Sequence, residues 1–182
     1  SGEVDIAIGG GVDSISMVQT PEMRVAPDPA VIAKHPAAYM PMLQTAEVVA
    51  SRYGVSRERM DEYALISQQR THAAQEAGAF DDEIVPLAST MKVMNKETKE
   101  ISEQDVTLEK DEGNRPSTTL EGLQGLKPVL GPDKTITAGN ASQLSDGASV
   151  SVLMDGKTAS QRGLSPLGIY RGMAVAGLEP DE

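Results

Sequence analysis

The chain has no cysteine and no tryptophan, one phenylalanine and four tyrosines. Without cysteine, neither a disulfide framework nor a thiolate metal site can form within these residues. A reducing compartment suits that composition, and a cytoplasmic protein is expected. With so few aromatics, the core has to be built from Ala, Val, Ile, Leu and the nine methionines, which fill irregular gaps well but specify shape weakly. No run of 18 apolar residues occurs, so no membrane span is expected. Basic residues are outnumbered, 16 against 27, for a net charge of −11. That argues against a nucleic-acid surface, which needs concentrated Lys and Arg, but leaves room for a small anion in a local basic pocket.

What is present is 182 residues with 39% hydrophobic content, enough for one ordinary domain or parts of two. Strand pattern begins at Val4 with no initiating Met, and "GLEPDE" stops at a turn. A segment of a longer protein is therefore expected. Val4, Ile6 and Ile8 alternate with Asp5 and Ala7, which predicts a short strand, at least half buried. Gly9, Gly10 and Gly11 follow, suited to a bare turn or to a close backbone approach. Five prolines between residues 20 and 41 argue against regular structure there. Thr45 can cap a helix over Ala46–Tyr53 closed by Gly54, and Ser56 a longer one ended by Gly78, with Met60, Tyr63 and Ala64 starting its apolar face. "DDEIVPLAS" reads as an edge strand interrupted by Pro86. Residues 92–115 carry much of the charge and read as a charged hairpin or solvent-facing excursion.

Leu120, Leu123, Leu126 and Val129 recur every three residues, predicting a short helix with one buried face that breaks before Pro128. The segment "TITAGNASQLSDGASVSVLM" (135–154) mixes small polar residues with a β-prone run. Asn140 and Ser142 can line a ligand without filling its space, or Asn140 can hold the turn through its own backbone. Asp146-Gly147 fits a buried turn whose carboxylate accepts backbone N–H groups. Residues 149–154 read as a core strand, 155–163 as a short helix ending at Gly163, and "PLGIYRGMAVAG" as a further strand. An excursion carried on an α/β core fits this order.

No catalytic group and no metal ligand set can be assembled. The histidines, His35 and His72, lie apart in the sequence, no serine sits in a G-x-S-x-G elbow, and the acidic residues of 92–115 do not match calcium-loop spacing.

Four stretches carry a resemblance: "DIAIGGGVDSIS" (5–16), "TAEVVASRYGVSRERMDEYALISQQR" (45–70), "FDDEIVPL" (80–87) and "TLEGLQGLKPVL…TITAGNASQLSDGASVSVLM" (119–154), with the tail "QRGLSPLGIYRGMAVAGLEPDE" (161–182) in order behind them. Together they resemble the thiolase family, the acetyl-CoA acetyltransferases and 3-ketoacyl-CoA thiolases, across essentially the whole chain. The resemblance implies an α/β fold: a fragment of a layered α/β/α core with a long inserted α+β loop domain. Residues 1–17 would be a core strand and its exit, 18–138 the loop domain, 139–163 the returning strand and helix, and 164–182 the start of a second core domain.

In that family a cysteine takes the acyl group as a thioester, a histidine activates it, and a second cysteine moves protons at the α-carbon of acetyl-CoA, with oxyanion holes stabilising the intermediates. By the resemblance those groups would lie before Ser1 and after Glu182, so no catalytic residue is assigned here and the segment alone is expected to be inactive. No separate cofactor is implied; a coenzyme A thioester is the substrate. What carries over is substrate binding. Ser142 of "GNAS" matches the serine that contacts the pantetheine arm. Arg115 of "NRPSTTL" matches a basic position near the adenine-phosphate end, where a guanidinium suits phosphate oxygens. Met42 matches a methionine bordering the acyl group. Leu43, Gln143 and Gly122 depart from the usual Gly, Gly and Ser. Acyl-CoA partners and a homodimer or homotetramer of the parent are implied. The alternative is a non-catalytic CoA-binding or structural module derived from a thiolase, or a thiolase-like lipid-transfer relative.

Overall fold

The computed structural model describes residues 3–18 and 26–182. The chain divides into two compact units, one made of residues 1–48 and 144–182, the other of Val49–Gln143.

In the first unit, strand β1 (Ile6–Asp13) runs antiparallel to β4 (Gly147–Met154), from Ile6 opposite Met154 to Asp13 opposite Gly147. The Asp155 N–H donates to the Asp5 carbonyl at 2.9 Å, carrying the ladder past its last strand pair. The glycines are not a turn. All three lie inside β1, and the close approach is real at Gly10, where a Cβ would stand 2.7 Å from the Ser149 carbonyl oxygen. The expectation of a half-buried strand is corrected: β1 is exposed along its whole length, because among the described residues its sheet has two strands and Val12, for one, remains 83% accessible.

The same unit carries the short helices α1 (Ile15–Val18), α2 (Pro29–Lys34) and α6 (Gly156–Gln161). Helix α2 is a correction to the irregular reading of 20–41. Pro29 occupies the first turn, where its missing N–H costs nothing, and the Asp28 carboxylate caps Ala30 N–H at 2.8 Å. Residues 20–25 of that stretch lie outside the described residues. Helix α6 is capped by Asp155 and closed by Gly163 at φ 66°. Beyond it, the strand expected in "PLGIYRGMAVAG" does not form. Gly168, Gly172 and Gly177 punctuate the segment, and Ile169, Tyr170 and Val175 are exposed. With no neighbouring strand among the described residues, its backbone groups have no ladder to join.

Helix α3 (Met42–Tyr53) begins three residues before the Thr45 expected to cap it and closes at Gly54, φ 64°. The second unit is organised by the long helix α4 (Arg57–Glu76). Ser56 caps it as expected, its hydroxyl accepting from the Arg59 N–H, and Gly78 ends it at φ 67°. A hairpin follows, β2 (Leu87–Met94) against β3 (Ile101–Leu108), starting directly after Pro86. Asn95 makes its turn by accepting from the Glu97 and Thr98 N–H groups.

Helix α5 (Leu120–Gln124) is shorter than the leucine spacing predicts. Gly125 closes it, so Leu126 and Val129 fall outside the helix and stay partly exposed; of the four, Leu123 is the one buried. The core of this unit is small: Ala50, Leu123, Ile136 and two polar residues, Asp61 and Thr137.

Candidate functional site

Of the residues expected to start the apolar face of α4, Met60 and Ala64 are half-buried, but the most buried position of the helix is polar. Tyr63 is 68% exposed, while Asp61 is wholly buried. A buried carboxylate is costly unless each oxygen finds a donor, and here both do. Arg57, one turn earlier, donates through Nε to Asp61 Oδ2 at 2.7 Å, and Asn140 donates through Nδ2 to Asp61 Oδ1 at 3.0 Å. The rest of the Arg57 guanidinium donates to the Leu123 and Leu126 carbonyls at 2.8 and 3.1 Å, which places a cation at the C-terminal end of α5.

Asn140 is thereby the hinge pin of its own turn. Its Oδ1 accepts from the Thr137 N–H at 2.8 Å, and its Nδ2 also donates to the Thr135 carbonyl at 3.1 Å. The buried Thr137 hydroxyl accepts from the N–H groups of Gly139 and Asn140, and the Thr137 carbonyl accepts from the Ala141 N–H at 3.0 Å. Gly139 lets the turn press against α5: a Cβ there would lie 2.6 Å from methyl carbons of both Leu123 and Leu126. Of the two roles open to Asn140, the structure shows the structural one. The buried end of the turn is a knot of hydrogen bonds. Its outer end is Ser142, exposed, with its hydroxyl donating locally to the Gln143 carbonyl at 3.2 Å.

Arg115 hangs from the same helix. Gln68 accepts through Oε1 from the Arg115 N–H at 2.8 Å and from Asn114 Nδ2 at 2.9 Å, and its own carbonyl takes a second bond from Asn114. One further pair of turns along, Gln75 Nε2 donates to the Asp111 carbonyl at 3.0 Å. The Arg115 side chain is exposed. The two loops also meet directly, since a Cβ at Gly113 would fall 2.8 Å from Gln143 Nε2. Seven residues separate Asp61 from Gln68, so the anchors of the Ser142 turn and the Arg115 loop stand about 10 Å apart along the helix axis. Ser142 and Arg115 thus share one unit and one scaffold. Met42, the first residue of α3 and 79% exposed, belongs to the other unit.

Asp146 is exposed rather than buried in its turn, and it binds the far end of β1. It accepts from the Ser16 hydroxyl, from the Ser16 N–H at 2.9 Å and from the Ser14 hydroxyl at 3.0 Å. The Ser16 hydroxyl first, then its N–H, hold the carboxyl below the usual aspartate range. The residues that sequence reasoning missed are Arg57, Asp61, Gln68 and Gln75. Their signal was a polar side chain every seventh residue, 61, 68 and 75, which keeps nearly one face of a helix.

Against known proteins, the family model "Thiolase, N-terminal domain" matches residues 1–157. The 3-ketoacyl-CoA thiolase of Bacillus subtilis (strain 168) is 43% identical over 180 residues, covering 99% of this chain and 46% of that protein. The dimeric peroxisomal thiolase of Saccharomyces cerevisiae superposes with a TM-score of 0.73 at 31% identity, over 92% of this chain and 40% of that one. Human mitochondrial 3-ketoacyl-CoA thiolase in complex with CoA gives 0.65 at 34% identity, over 90% and 41%. These superpositions show a layered α/β fold of that type. The chain spans less than half the length of the relatives it matches. The cytoplasmic expectation is corrected: relatives from Arabidopsis thaliana, Homo sapiens, Mus musculus and Petunia hybrida, each 40–42% identical, are peroxisomal. The lack of cysteine on which that expectation rested does not discriminate between reducing compartments.

Proposed function

The chain belongs to the thiolase family, and from that premise we propose that it supplies the CoA-binding wall and lid of an acyl-CoA C-acyltransferase that forms or cleaves 3-ketoacyl-CoA. The observation that carries this reading is the Ser142 turn: knotted to α4 at its buried end and open at its outer end, beside the loop that holds Arg115.

In this reading the Ser142 hydroxyl meets an amide of the pantetheine arm and the Arg115 guanidinium meets phosphate oxygens at the nucleotide end. Met42 borders the acyl group. Residues 18–138 act as the loop domain inserted between a core strand (1–17) and its returning partner with its helix (139–163), and residues 164–182 open a second core domain. The thioester-forming cysteine and its acid–base partners are contributed by other parts of the intact protein, because these 182 residues contain no cysteine. Self-association as a homodimer or homotetramer is part of the same proposal, supported by the dimeric yeast relative.

The test is titration calorimetry of coenzyme A into the intact protein and its Ser142→Ala variant. Removing one hydrogen bond that water can replace should weaken binding by about 0.5–1.5 kcal/mol. Equal affinities would remove Ser142 from the site. The 182-residue chain alone should not thiolyse acetoacetyl-CoA. Should the intact protein bind coenzyme A without any thiolysis, the non-catalytic module is the better reading.

A further inference from the structure

Ser142 does not place itself. Its hydroxyl bonds to the next residue's carbonyl, so its position is inherited from the turn behind it. A long-range polar anchor of that turn is the Asn140 Nδ2 bond to Asp61 Oδ1, spanning 79 positions of sequence. Asp61 is in turn held by Arg57, which bonds to the Leu123 carbonyl of α5 and to the Leu126 carbonyl just beyond the helix. Those same two leucines lie close over Gly139, where a Cβ would stand 2.6 Å from a methyl carbon of each. One carboxylate therefore joins the helix, the cation that fixes α5, and the amide that fixes the turn.

We propose that Asp61 is a positioning residue for coenzyme A binding, acting through Asn140 to hold the Ser142 hydroxyl where the ligand needs it. The inference rests on the proposed role of Ser142 and adds a residue that never touches the ligand. Asp61 is fully buried, so its influence on a ligand has to pass through the side chains packed against it. Asp61→Asn keeps the size and one acceptor oxygen. With that oxygen facing Arg57, an amide N–H₂ is set against Asn140 Nδ2, donor against donor. The turn then gives up this long-range anchor while the helix is conserved.

A double-mutant cycle in the intact protein, read by calorimetry with coenzyme A, tests this. Ser142→Ala alone should raise the dissociation constant roughly three- to tenfold, the worth of a single hydrogen bond. In the Asp61→Asn background the same change should matter less than about twofold. Ser56→Ala, which weakens α4 at its cap without touching the network, serves as the control for general destabilisation and should leave the Ser142→Ala effect whole. If Asp61→Asn does not fold, judged by circular dichroism, Asn140→Ala replaces it in the cycle with the same expectation. An undiminished Ser142→Ala effect in the Asp61→Asn or Asn140→Ala background overturns this inference alone. So does a Ser56→Ala background that erases the effect equally. No effect of Ser142→Ala in the wild-type background overturns both this inference and the proposed binding role.

Discussion

Asp146 shows how much a single exposed side chain can do when its donors are preset. Its carboxylate gathers two hydroxyls and one N–H from Ser14 and Ser16, 130 and more positions earlier, and so ties the exit of β1 to the entry of β4. Those donors favour the ionised form and lower its pKa. An acid whose folded pKa lies below its unfolded value stabilises the fold above the unfolded pKa, which for aspartate is about 3.9. The contribution is complete at neutral pH, begins to fade as the pH falls below roughly 4, and is gone once the pH has passed through the lowered folded value. Ser16→Ala removes the main cause, since the Ser16 hydroxyl leads the set. The Asp146 titration midpoint, followed by carboxyl carbon NMR, should then move upward toward that of an ordinary aspartate. A midpoint unchanged by the substitution would show that Ser16 does not hold the carboxylate in solution.

At the scale of elements, α4 is a bracket, with Asp61, Gln68 and Gln75 each clasping a different stretch of loop. Gln68 is the clearest case, because its side chain is what accepts from the Arg115 N–H. Gln68→Ala should leave that amide to water and loosen the loop, and Arg115 amide exchange should speed up roughly three- to tenfold, as expected for removal of one hydrogen bond. Exchange at Asn140 and Ala141, whose N–H groups are held by Thr137, should not change. Unaltered exchange at Arg115 would mean that the loop is held without the Gln68 side chain, by Asn114 on the Gln68 backbone carbonyl and by the Thr118 hydroxyl and N–H, which donate to the Arg115 carbonyl. This bracket also marks the limit of what the sequence displays. Local signals were legible: Ser56 as a cap and Gly54, Gly78 and Gly163 as helix ends, since each depends on neighbours within a few residues; of the two readings of 92–115 the hairpin is the one found, with its first strand starting earlier, at Leu87. The motif around Ser142 was legible by resemblance. Asp61 was not, because a buried carboxylate looks like any surface aspartate until the donor 79 positions away is known. The leucine series misled for the converse reason. Spacing marks which residues can share a face, but Gly125 ended the helix before Leu126 and Val129 could join it.

For the whole molecule, the deciding quantity is area. The chain exposes 15221 Å², whereas a self-contained fold of 19.2 kDa exposes roughly 8,400 Å². An ordinary interface between domains, about 600–1,500 Å², does not close such a gap. Exposed apolar side chains occur along the whole chain, from Val4 to Leu178, and one group of them shares a sheet face. Ile6, Ile8 and Val12 share one face of the β1–β4 ladder with Val150 and Val152, and all five are exposed. A two-stranded ladder with a bare apolar face is not independently stable. The burial it lacks has to come from other protein surface, which agrees with a chain that spans less than half the length of its relatives. The isolated 182-residue chain is accordingly expected to bind the dye ANS, to melt over a broad range and to self-associate with rising concentration in sedimentation velocity. The intact protein should show a sharp transition and little dye binding. A monomeric 182-residue chain with one cooperative transition and no dye binding would show that these residues bury their apolar face unaided, and would remove the ground for treating them as one wall of a larger site.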